Sequence, residues 1–347
     1  MEKTKTPKAK TSFLLIFLAL AASSLLLSGC GGSMGGFFKG NSQNIETYNF
    51  RQGTEGIRMD FIEGMPPSQL FIGTDFSTGI KLKNMGAYDV AGDAQIKISV
   101  PDESAFQFKG DNPQTFTMRG KSLYIKEGEE DVKIFPMKAL CFPGYSEQIV
   151  RNYTRKLKAT ACYYYETTAN ADICIDPRKY LRAEKEKAEC QMADKTLSGG
   201  QGGPVGVARI TPTVIPQSQN NVEVQLSIAI DKLQGADHNL YHPSSGCTDP
   251  QQLNRIQIEV EMGGEGIPCT PSEILLKERN TVSTICKKTL DTSFGAFLTP
   301  VTVNMRYYVQ QTKLKDITVE PPPMGYGQTI NCATLGGSAP AQPAFTG

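Results

Sequence analysis

The stretch that decides the fold is Ala159–Pro177, with the sequence ATACYYYETTANADICIDP. Apolar and polar residues alternate along it, which is the pattern of a β-strand that is buried on one face only. A similar stretch, VNMRYYVQQTKLKDITVEP, follows 144 residues later at Val303–Pro321. We interpret each stretch as two strands joined by a tight turn, and we place the first turn at Thr167–Ala169. The repetition divides the chain into two similar modules.

Residue parity assigns the two faces of these strands. Within Leu157–Tyr165 the odd positions are apolar or aromatic, and the even positions are mostly polar. The second copy has the same parity. A strand half-buried in a sandwich requires this arrangement, so the odd positions are expected in the core. The parity places Tyr163 in the core, and it places Cys162, Tyr164 and Cys174 on the outer surface.

Tyr164 and Tyr308 occupy equivalent positions in the two copies, and both are expected to face outward. Tyrosine is enriched where proteins contact other molecules, so the pair could form a contact surface. The alternative is that each ring covers its own sheet or a neighbouring disulfide, because aromatic side chains pack well across strands. The sequence leaves both interpretations open.

The composition favours an all-β chain that has few side chains suited to acid–base catalysis or metal binding. The 347 residues include 33 glycines and 21 prolines, which suits short strands and turns better than long helices. The net charge is +1, and removing residues 1–29, which carry +3, leaves about −2. The folded part is therefore not expected to bind nucleic acid. With two histidines and no tryptophan, the usual acid–base and metal-binding groups are scarce.

The N-terminus has the pattern of a secretory targeting segment. Met1–Lys10 carries four lysines, and the apolar run Ser12–Ser28 follows it. The run ends in Ser28-Gly29-Cys30, which resembles the lipobox of bacterial and some archaeal lipoproteins. That resemblance implies cleavage before Cys30 and attachment of lipid to its thiol. The alternative is an uncleaved signal anchor, because 17 apolar residues just reach the spanning length. Both interpretations predict a membrane-anchored protein of the cell envelope, outside the cytoplasm.

The first module opens with Phe71–Val100, in which Gly73-Thr74-Asp75-Phe76 precedes an alternating strand and an Asn84-Met85-Gly86 turn. This opening resembles the first hairpin of CARDB-like and archaeal surface-layer-type immunoglobulin-like modules. The resemblance covers about 30 residues and implies antiparallel β-sandwiches of the immunoglobulin type.

We therefore predict an all-β fold of two tandem immunoglobulin-like β-sandwiches with a short connecting helix. The helix is placed at Arg178–Lys195, which follows Pro177 and is rich in Lys, Arg and Glu. The predicted segments are a signal peptide at 1–29, a flexible tether at 30–44, the first domain at 45–177, the charged helix and linker at 178–204, the second domain at 205–320 and a flexible tail at 321–347.

Cysteines other than Cys30 number eight, an even count that favours disulfide bonds in an exported chain. A turn at Thr167–Ala169 would place Cys162 opposite Cys174, so Cys162–Cys174 is the first predicted bond. The alternative is Cys174–Cys190, which would pin the charged helix over the sheet. The eight candidates are Cys141, Cys162, Cys174, Cys190, Cys247, Cys269, Cys286 and Cys332.

Cys269 and Cys286 flank one short hairpin-like stretch, so they are the predicted bond of the second module. The remaining pairs follow by elimination: Cys141 with Cys190, and Cys247 with Cys332.

The motifs for chemistry are weak. His238 and His242, four residues apart, are the best metal candidates, but two histidines rarely complete a tetrahedral site, so no metal is predicted. The sequence holds no phosphate-binding loop and no nucleophile elbow, so we predict no catalytic residue and no cofactor. Asn152-Tyr153-Thr154 is a glycosylation sequon, and Asn152 is a candidate site if it lies in a surface loop.

These features predict a non-enzymatic cell-surface lipoprotein, structural or adhesive, that contacts protein or glycan through sandwich loops or sheets. Its expected partners are the membrane, through the Cys30 lipid or the N-terminal apolar segment, and a protein or glycan at the cell surface. The alternative is an accessory subunit of a membrane-embedded envelope complex. An exported enzyme is the third hypothesis, and the missing catalytic set disfavours it.

Overall fold

β-strands provide nearly all the regular structure in the computed structural model, which describes residues 49–101, 105–141, 152–181, 187–234, 237–277 and 281–323. These ranges contain no α-helix, only a short 3₁₀ helix at Pro250–Gln252. None of their helices is long and apolar enough to cross a membrane. The predicted signal peptide, tether and Cys30, and Cys332 in the predicted tail, lie outside the described residues.

Eighteen strands follow one another within the described residues. They are β1 (Ile57–Phe61), β2 (Gln69–Phe71), β3 (Asp75–Asn84), β4 (Gln95–Ser99), β5 (Phe106–Phe108), β6 (Gln114–Thr115), β7 (Glu130–Ala139), β8 (Tyr153–Ile175), β9 (Lys195–Thr196), β10 (Val205–Pro216), β11 (Asn221–Lys232), β12 (His238–Tyr241), β13 (Arg255–Met262), β14 (Glu265–Ile267), β15 (Cys269–Thr270), β16 (Glu273–Leu275), β17 (Val282–Asp291) and β18 (Phe297–Glu320).

The strands form three sheets. A four-stranded sheet has the order β1-β3-β7-β5, and a five-stranded sheet has the order β15-β17-β11-β10-β9. The third sheet has nine strands, with the path β14-β13-β18-β8-β4-β6, and we call it the central sheet. Its strands β12 and β2 pair with β18, and β16 pairs with β13. All pairings are antiparallel except that of β2 with β18.

Strands β8 and β18 pair without interruption from Phe297 opposite Ile175 to Val319 opposite Tyr153, and we call this pair the long ribbon. At about 3.4 Å per residue, the ribbon is roughly 75 Å long. The two tight turns expected within Ala159–Pro177 and Val303–Pro321 are wrong. Residues Thr167–Ala169 contain no glycine or proline, and their backbone pairs directly with Val303–Met305 of the other copy.

The predicted face parity is confirmed along the long ribbon. The odd-numbered residues 163, 165 and 307 are fully buried tyrosines, and the neighbouring even positions are partly exposed. Cys174 departs from this pattern. It has the parity of the outer face, yet it is buried, and it is bonded to Cys190.

Both halves of the chain contribute to the central sheet. The four-stranded sheet uses only strands within residues 57–139, and the five-stranded sheet uses only strands within 195–291. The central sheet contains strands from both of these regions and joins them through the long ribbon. The result is an all-β, sandwich-like fold, as predicted. The division into domains at 45–177 and 205–320 stays a prediction.

The connecting helix predicted at Arg178–Lys195 is wrong in the part of it that the structure describes. Residues 178–181 form a turn, and 187–194 have no regular structure. Leu181, one of the few apolar residues available to a helix here, is 59% exposed. A helix gains most of its stability in proteins by burying an apolar face, and this segment has little to bury.

Three disulfides join described cysteines, and Cys141 is disulfide-bonded as well. The predicted Cys269–Cys286 bond is confirmed, and so is Cys174–Cys190, the alternative in the first module. Disulfides form and persist in oxidising compartments, so the chain belongs to an extracytoplasmic environment.

The first prediction for Cys162 is wrong because Cys162 and Cys174 lie on one continuous strand. Twelve residues of strand separate them by about 40 Å, far beyond disulfide reach. Cys162 is instead bonded to Cys247. The pairs inferred by elimination, Cys141–Cys190 and Cys247–Cys332, are also wrong, because Cys190 and Cys247 have other partners.

Candidate functional site

Three tyrosines form the core of the long ribbon, and we call them the buried tyrosine layer: Tyr163, Tyr165 and Tyr307. The ring centroids of Tyr163 and Tyr165 lie 6.0 Å apart, and those of Tyr165 and Tyr307 lie 6.3 Å apart. Burial raises the pKa of all three phenols above the ordinary value, because the phenolate would lose its hydration.

Each hydroxyl of this layer has a hydrogen-bond partner, and two of the partners are backbone groups. The Ile57 amide donates to the Tyr163 hydroxyl at 3.2 Å. The Tyr165 hydroxyl donates to the Gly202 carbonyl at 2.9 Å. The Tyr307 hydroxyl is paired with Thr167. The layer therefore fastens β1 and the segment before β10 to the ribbon, which holds the ribbon rigid.

Glycines allow the backbone to approach this layer closely. A Cβ atom at Gly86 would lie 1.8 Å from the Tyr165 hydroxyl and 2.2 Å from the Gly202 carbonyl oxygen. A Cβ atom at Gly203 would lie 2.1 Å from the Thr167 hydroxyl. No side chain fits at either position without displacing backbone or buried polar groups, so both glycines are required by the packing.

The opposite face of the ribbon carries Tyr164 and Tyr308, which form the outer tyrosine cluster together with Tyr88 of the loop between β3 and β4. The Tyr88 ring also lies 5.4 Å from that of Tyr165 in the buried layer. The rings of Tyr164 and Tyr308 meet edge-on with centroids 5.6 Å apart, and Tyr88 meets Tyr164 at 5.7 Å. The Tyr308 hydroxyl donates to the Asp93 carboxylate at 2.7 Å. The rings are thus held in place while remaining partly exposed.

The electrostatics of the outer tyrosine cluster keep its hydroxyls neutral. Partial burial raises the pKa of Tyr164 to about 12. Partial burial and the hydrogen bond to Asp93 raise the pKa of Tyr308 to about 12. The phenols are neutral at physiological pH, as an unshifted tyrosine also is, and the Tyr308 proton is already donated to Asp93.

A charged group borders the cluster on the same face. The Arg306 guanidinium donates to the Glu166 carboxylate at 2.8 Å, and it also contacts Glu259 on β13. The hydrogen bond with Glu166 raises the pKa of Arg306. Glu166, Arg306 and Glu259 therefore pair with one another across β8, β18 and β13, beside the outer tyrosine cluster.

The two interpretations of Tyr164 and Tyr308, as a contact surface and as a cover for their own sheet, each describe part of the structure. The two residues face outward, as their parity indicates, and they also pack across the strands of their own sheet. Asp93 and Tyr88 could not be predicted from the sequence. They lie in the loop between β3 and β4, and no regular spacing in the sequence relates them to the long ribbon. The Glu166–Arg306 pair could not have been found either, because the two residues hold different places in the two copies and become neighbours only through the register of the ribbon.

The histidines do not come together in a shared ligand set. His238 lies on strand β12, is 5% exposed, and pairs through Nδ1 with the Asp237 carboxylate at 2.9 Å. His242 pairs through Nδ1 with the Ser244 hydroxyl at 2.8 Å. Within the described ranges, no three His, Cys, Asp or Glu side chains are placed to hold a metal ion.

Asn152, the glycosylation candidate, is exposed immediately before β8.

No model of a known protein family matches the chain, and no curated protein matches it. Among solved structures, the chain is similar to a conserved protein of unknown function from Pseudomonas aeruginosa. The identity is 9%, the match covers 76% of this chain and 90% of that one, and the TM-score is 0.11. It is also similar to a family GH31 alpha-xylosidase from Xanthomonas citri, at 10% identity and a TM-score of 0.11, over 76% of this chain and 26% of the xylosidase. Similarities this weak carry no argument about fold or function.

Proposed function

We propose that the protein is a non-enzymatic cell-surface lipoprotein, structural or adhesive, that contacts a protein or glycan through the outer face of its central sheet. The observation that carries the proposal is the outer tyrosine cluster, in which partly exposed rings are fixed on a rigid ribbon. Tyrosine provides a large amphipathic contact area and loses little conformational entropy on binding, which suits a binding surface.

The same proposal includes an assignment of the three sheets to domains. We assign two immunoglobulin-like sandwiches in tandem, one containing the four-stranded sheet and the other the five-stranded sheet. The central sheet supplies the second layer of each. The sequential origin of the two smaller sheets supports this assignment. A continuous ribbon of about 75 Å would hold the sandwiches at a fixed spacing, which suits a protein that presents a surface away from a membrane.

Membrane attachment is proposed to occur through a lipid on Cys30. The Cys30→Ser variant is expected to accumulate as an uncleaved precursor and to lose its lipid, because the thiol is the acceptor atom. Metabolic labelling with a fatty-acid analogue and comparison of chain length measure both effects. Ser33→Ala, three residues further on, serves as the control and should be lipidated normally. If Cys30→Ser is processed and attached like the wild type, the N-terminal apolar segment is the anchor instead.

The contact surface is tested with the double variant Tyr164→Ala/Tyr308→Ala in the full-length chain. Binding to the isolated cell envelope is expected to weaken by at least about tenfold, because buried aromatic anchors dominate binding energy at interfaces. Tyr124→Ala is the control, since Tyr124 lies outside the cluster and is 90% exposed.

Unchanged envelope binding by a correctly folded double variant would exclude the outer tyrosine cluster as the contact surface. Crosslinking on intact cells extends the test. Capture of one membrane protein in stoichiometric amount would favour an accessory subunit of an envelope complex over an adhesive role.

A further inference from the structure

Exposed apolar side chains are concentrated at one end of the long ribbon. Among the described residues, six large apolar or aromatic side chains are more than half exposed, and two of them, Tyr124 and Leu314, lie elsewhere. The other four lie within six residues of the terminal pair of the ribbon, Ile175 and Phe297. We call these four the apolar tip: Tyr180, Leu181, Phe294 and Leu298. Apolar groups that are exposed together in this way mark a contact site.

The turn between β17 and β18 holds two members of the apolar tip in place. Leu298 is itself a residue of the long ribbon. The Ser293 amide donates to the Asp291 carboxylate at 2.6 Å, which fixes the turn that carries Phe294. The rings of Phe294 and Phe297 meet edge-on with centroids 6.4 Å apart. The apolar groups are therefore presented by a defined turn at the end of the ribbon.

The turn after β8 carries the other two members. The Lys179 amide donates to the Asp176 carbonyl at 3.2 Å. The Leu181 amide donates to the Arg178 carbonyl at 2.9 Å, so the chain bends back beside the end of the ribbon. The Lys179 ammonium lies 5.5 Å from the centroid of the Tyr180 ring. Aromatic rings and leucines beside lysine and arginine are the composition that proteins place at a membrane interface.

The position of the nearest exposed carboxylate on the ribbon suits shallow insertion. Asp172 is exposed and pairs with Pro300, three positions before the end of the ribbon at Ile175. At about 3.4 Å per residue, Asp172 lies roughly 10 Å from that end. Interfacial apolar groups enter about 5–10 Å into the boundary between headgroups and acyl chains. The apolar tip can therefore be immersed while Asp172 stays in water.

The predicted lipid attachment point is within reach of this end. Near the start of the described chain, the Gly53 carbonyl accepts from the Gly202 amide at 2.8 Å, and the Gly202 carbonyl accepts from Tyr165. Tyr165 is ten positions before Ile175, or about 34 Å along the ribbon. The 19 residues from 30 to 48 can span up to about 65 Å. A lipid on Cys30 and the apolar tip can therefore reach the same membrane.

The opposite end of the ribbon lies at a similar distance from the start of the described chain, but its side chains suit water. There Lys156 pairs with Asp316 at 3.0 Å, and both side chains are mostly exposed. Among the described residues near that end, Leu314 is the only large apolar side chain that is more than half exposed. Reach allows both ends, so the apolar side chains decide between them.

We propose that the apolar tip inserts into the headgroup region of the membrane that carries the Cys30 lipid. This inference rests on the proposed membrane attachment and adds a second, direct contact with the bilayer. With the tip at the membrane, the long ribbon stands away from the surface. Tyr164 is eleven positions before Ile175, so the outer tyrosine cluster lies about 37 Å along the ribbon from the membrane and is accessible to a partner.

The test uses single tryptophans, because the chain has none of its own. The full-length lipoprotein carrying Phe294→Trp or Leu298→Trp is reconstituted into phosphatidylcholine vesicles, with and without lipids brominated on their acyl chains. Each of these tryptophans is expected to lose about half of its emission to the brominated lipid, because it lies at the boundary between headgroups and acyl chains.

Leu314→Trp and Tyr124→Trp are matched controls and should keep their emission. Both positions are at least as exposed as Phe294. Leu314 is paired with Lys158 and lies about 58 Å along the ribbon from the tip, so an upright ribbon keeps it away from the lipid.

Sedimentation of the vesicles measures attachment separately from insertion. Attachment without quenching at Phe294→Trp and Leu298→Trp would overturn the inference and leave the proposed lipid attachment standing. A blue-shifted tryptophan at the tip that brominated lipid does not quench would show that protein covers the tip, and this result would also overturn the inference. If the folded wild type neither sediments with the vesicles nor shows quenching in its tryptophan variants, the inference and the proposed attachment both fail.

Discussion

Tyr165→Ala is expected to lower the free energy of unfolding by about 3–5 kcal/mol, the cost of deleting a large ring from a packed core. Tyr165 is fully buried in the long ribbon, and its hydroxyl donates to the Gly202 carbonyl. Its removal leaves a cavity and also leaves that carbonyl without this donor, so two separate losses combine. Unfolding in denaturant, followed by circular dichroism, measures the change.

Two matched variants separate the contributions. Tyr165→Phe keeps the ring and loses the hydroxyl, so about 1 kcal/mol is expected. Tyr180→Ala removes a tyrosine that is 59% exposed, and its effect should stay within about 0.5 kcal/mol. If Tyr165→Ala were no more destabilising than Tyr180→Ala, the tyrosine layer would not be part of the core.

The dependence of stability on alkaline pH is an independent test of the burial of Tyr165. Burial raises the pKa of Tyr165 above its ordinary value of 10.0, because the phenolate is disfavoured in the core. The folded state holds the phenol proton more tightly than the unfolded state does. Stability is therefore fully present below pH 10 and declines as the pH rises further. Tyr165→Phe has no phenol at this position, so its stability should decline less steeply over the same pH range.

Removing the Cys162–Cys247 bond is the second large effect we expect. The double variant Cys162→Ala/Cys247→Ala should lose about 4.5 kcal/mol of stability, because the bond closes a loop across 85 residues and restricts the unfolded chain. Cys174→Ala/Cys190→Ala is the matched comparison. That bond spans 16 residues, and its removal should cost about 3 kcal/mol.

Denaturant unfolding of both double variants, beside the wild type, measures the difference. A larger loss from the Cys174–Cys190 variant would contradict the loop-length explanation, and it would indicate that strain or direct packing dominates the effect of these bonds.

The faces of the long ribbon could be predicted from sequence because strand alternation is a local property. In residues 157–165 the alternation of apolar and polar side chains shows which face of the sheet each residue occupies, and this does not depend on which strand lies beside it. The same reasoning failed over the turn at Thr167–Ala169. Whether a strand continues or turns back depends on which backbone groups are available to pair with it, and here the partner is 134 to 138 residues away.

The residues that contact the outer face of the long ribbon could not be predicted from local sequence patterns, for the same reason. Cys247 reaches Cys162 from a loop that follows β12, and Asp93 reaches Tyr308 from a loop that precedes β4. Neither loop has a periodic pattern that fixes its path. Cys269 and Cys286 could be paired correctly because they lie opposite each other on the short antiparallel pair β15 and β17.

The register of the long ribbon has a consequence for the order in which the chain can fold during export. Its paired residues are separated by 122 positions at one end, Ile175 and Phe297, and by 166 at the other, Tyr153 and Val319. Contacts between such distant residues form slowly, and the first strand is exposed until its partner arrives. Although β8 stands near the middle of the sequence, it can complete its pairing only after β18 has emerged, so the central sheet is completed after the strands of the two smaller sheets are available to pair.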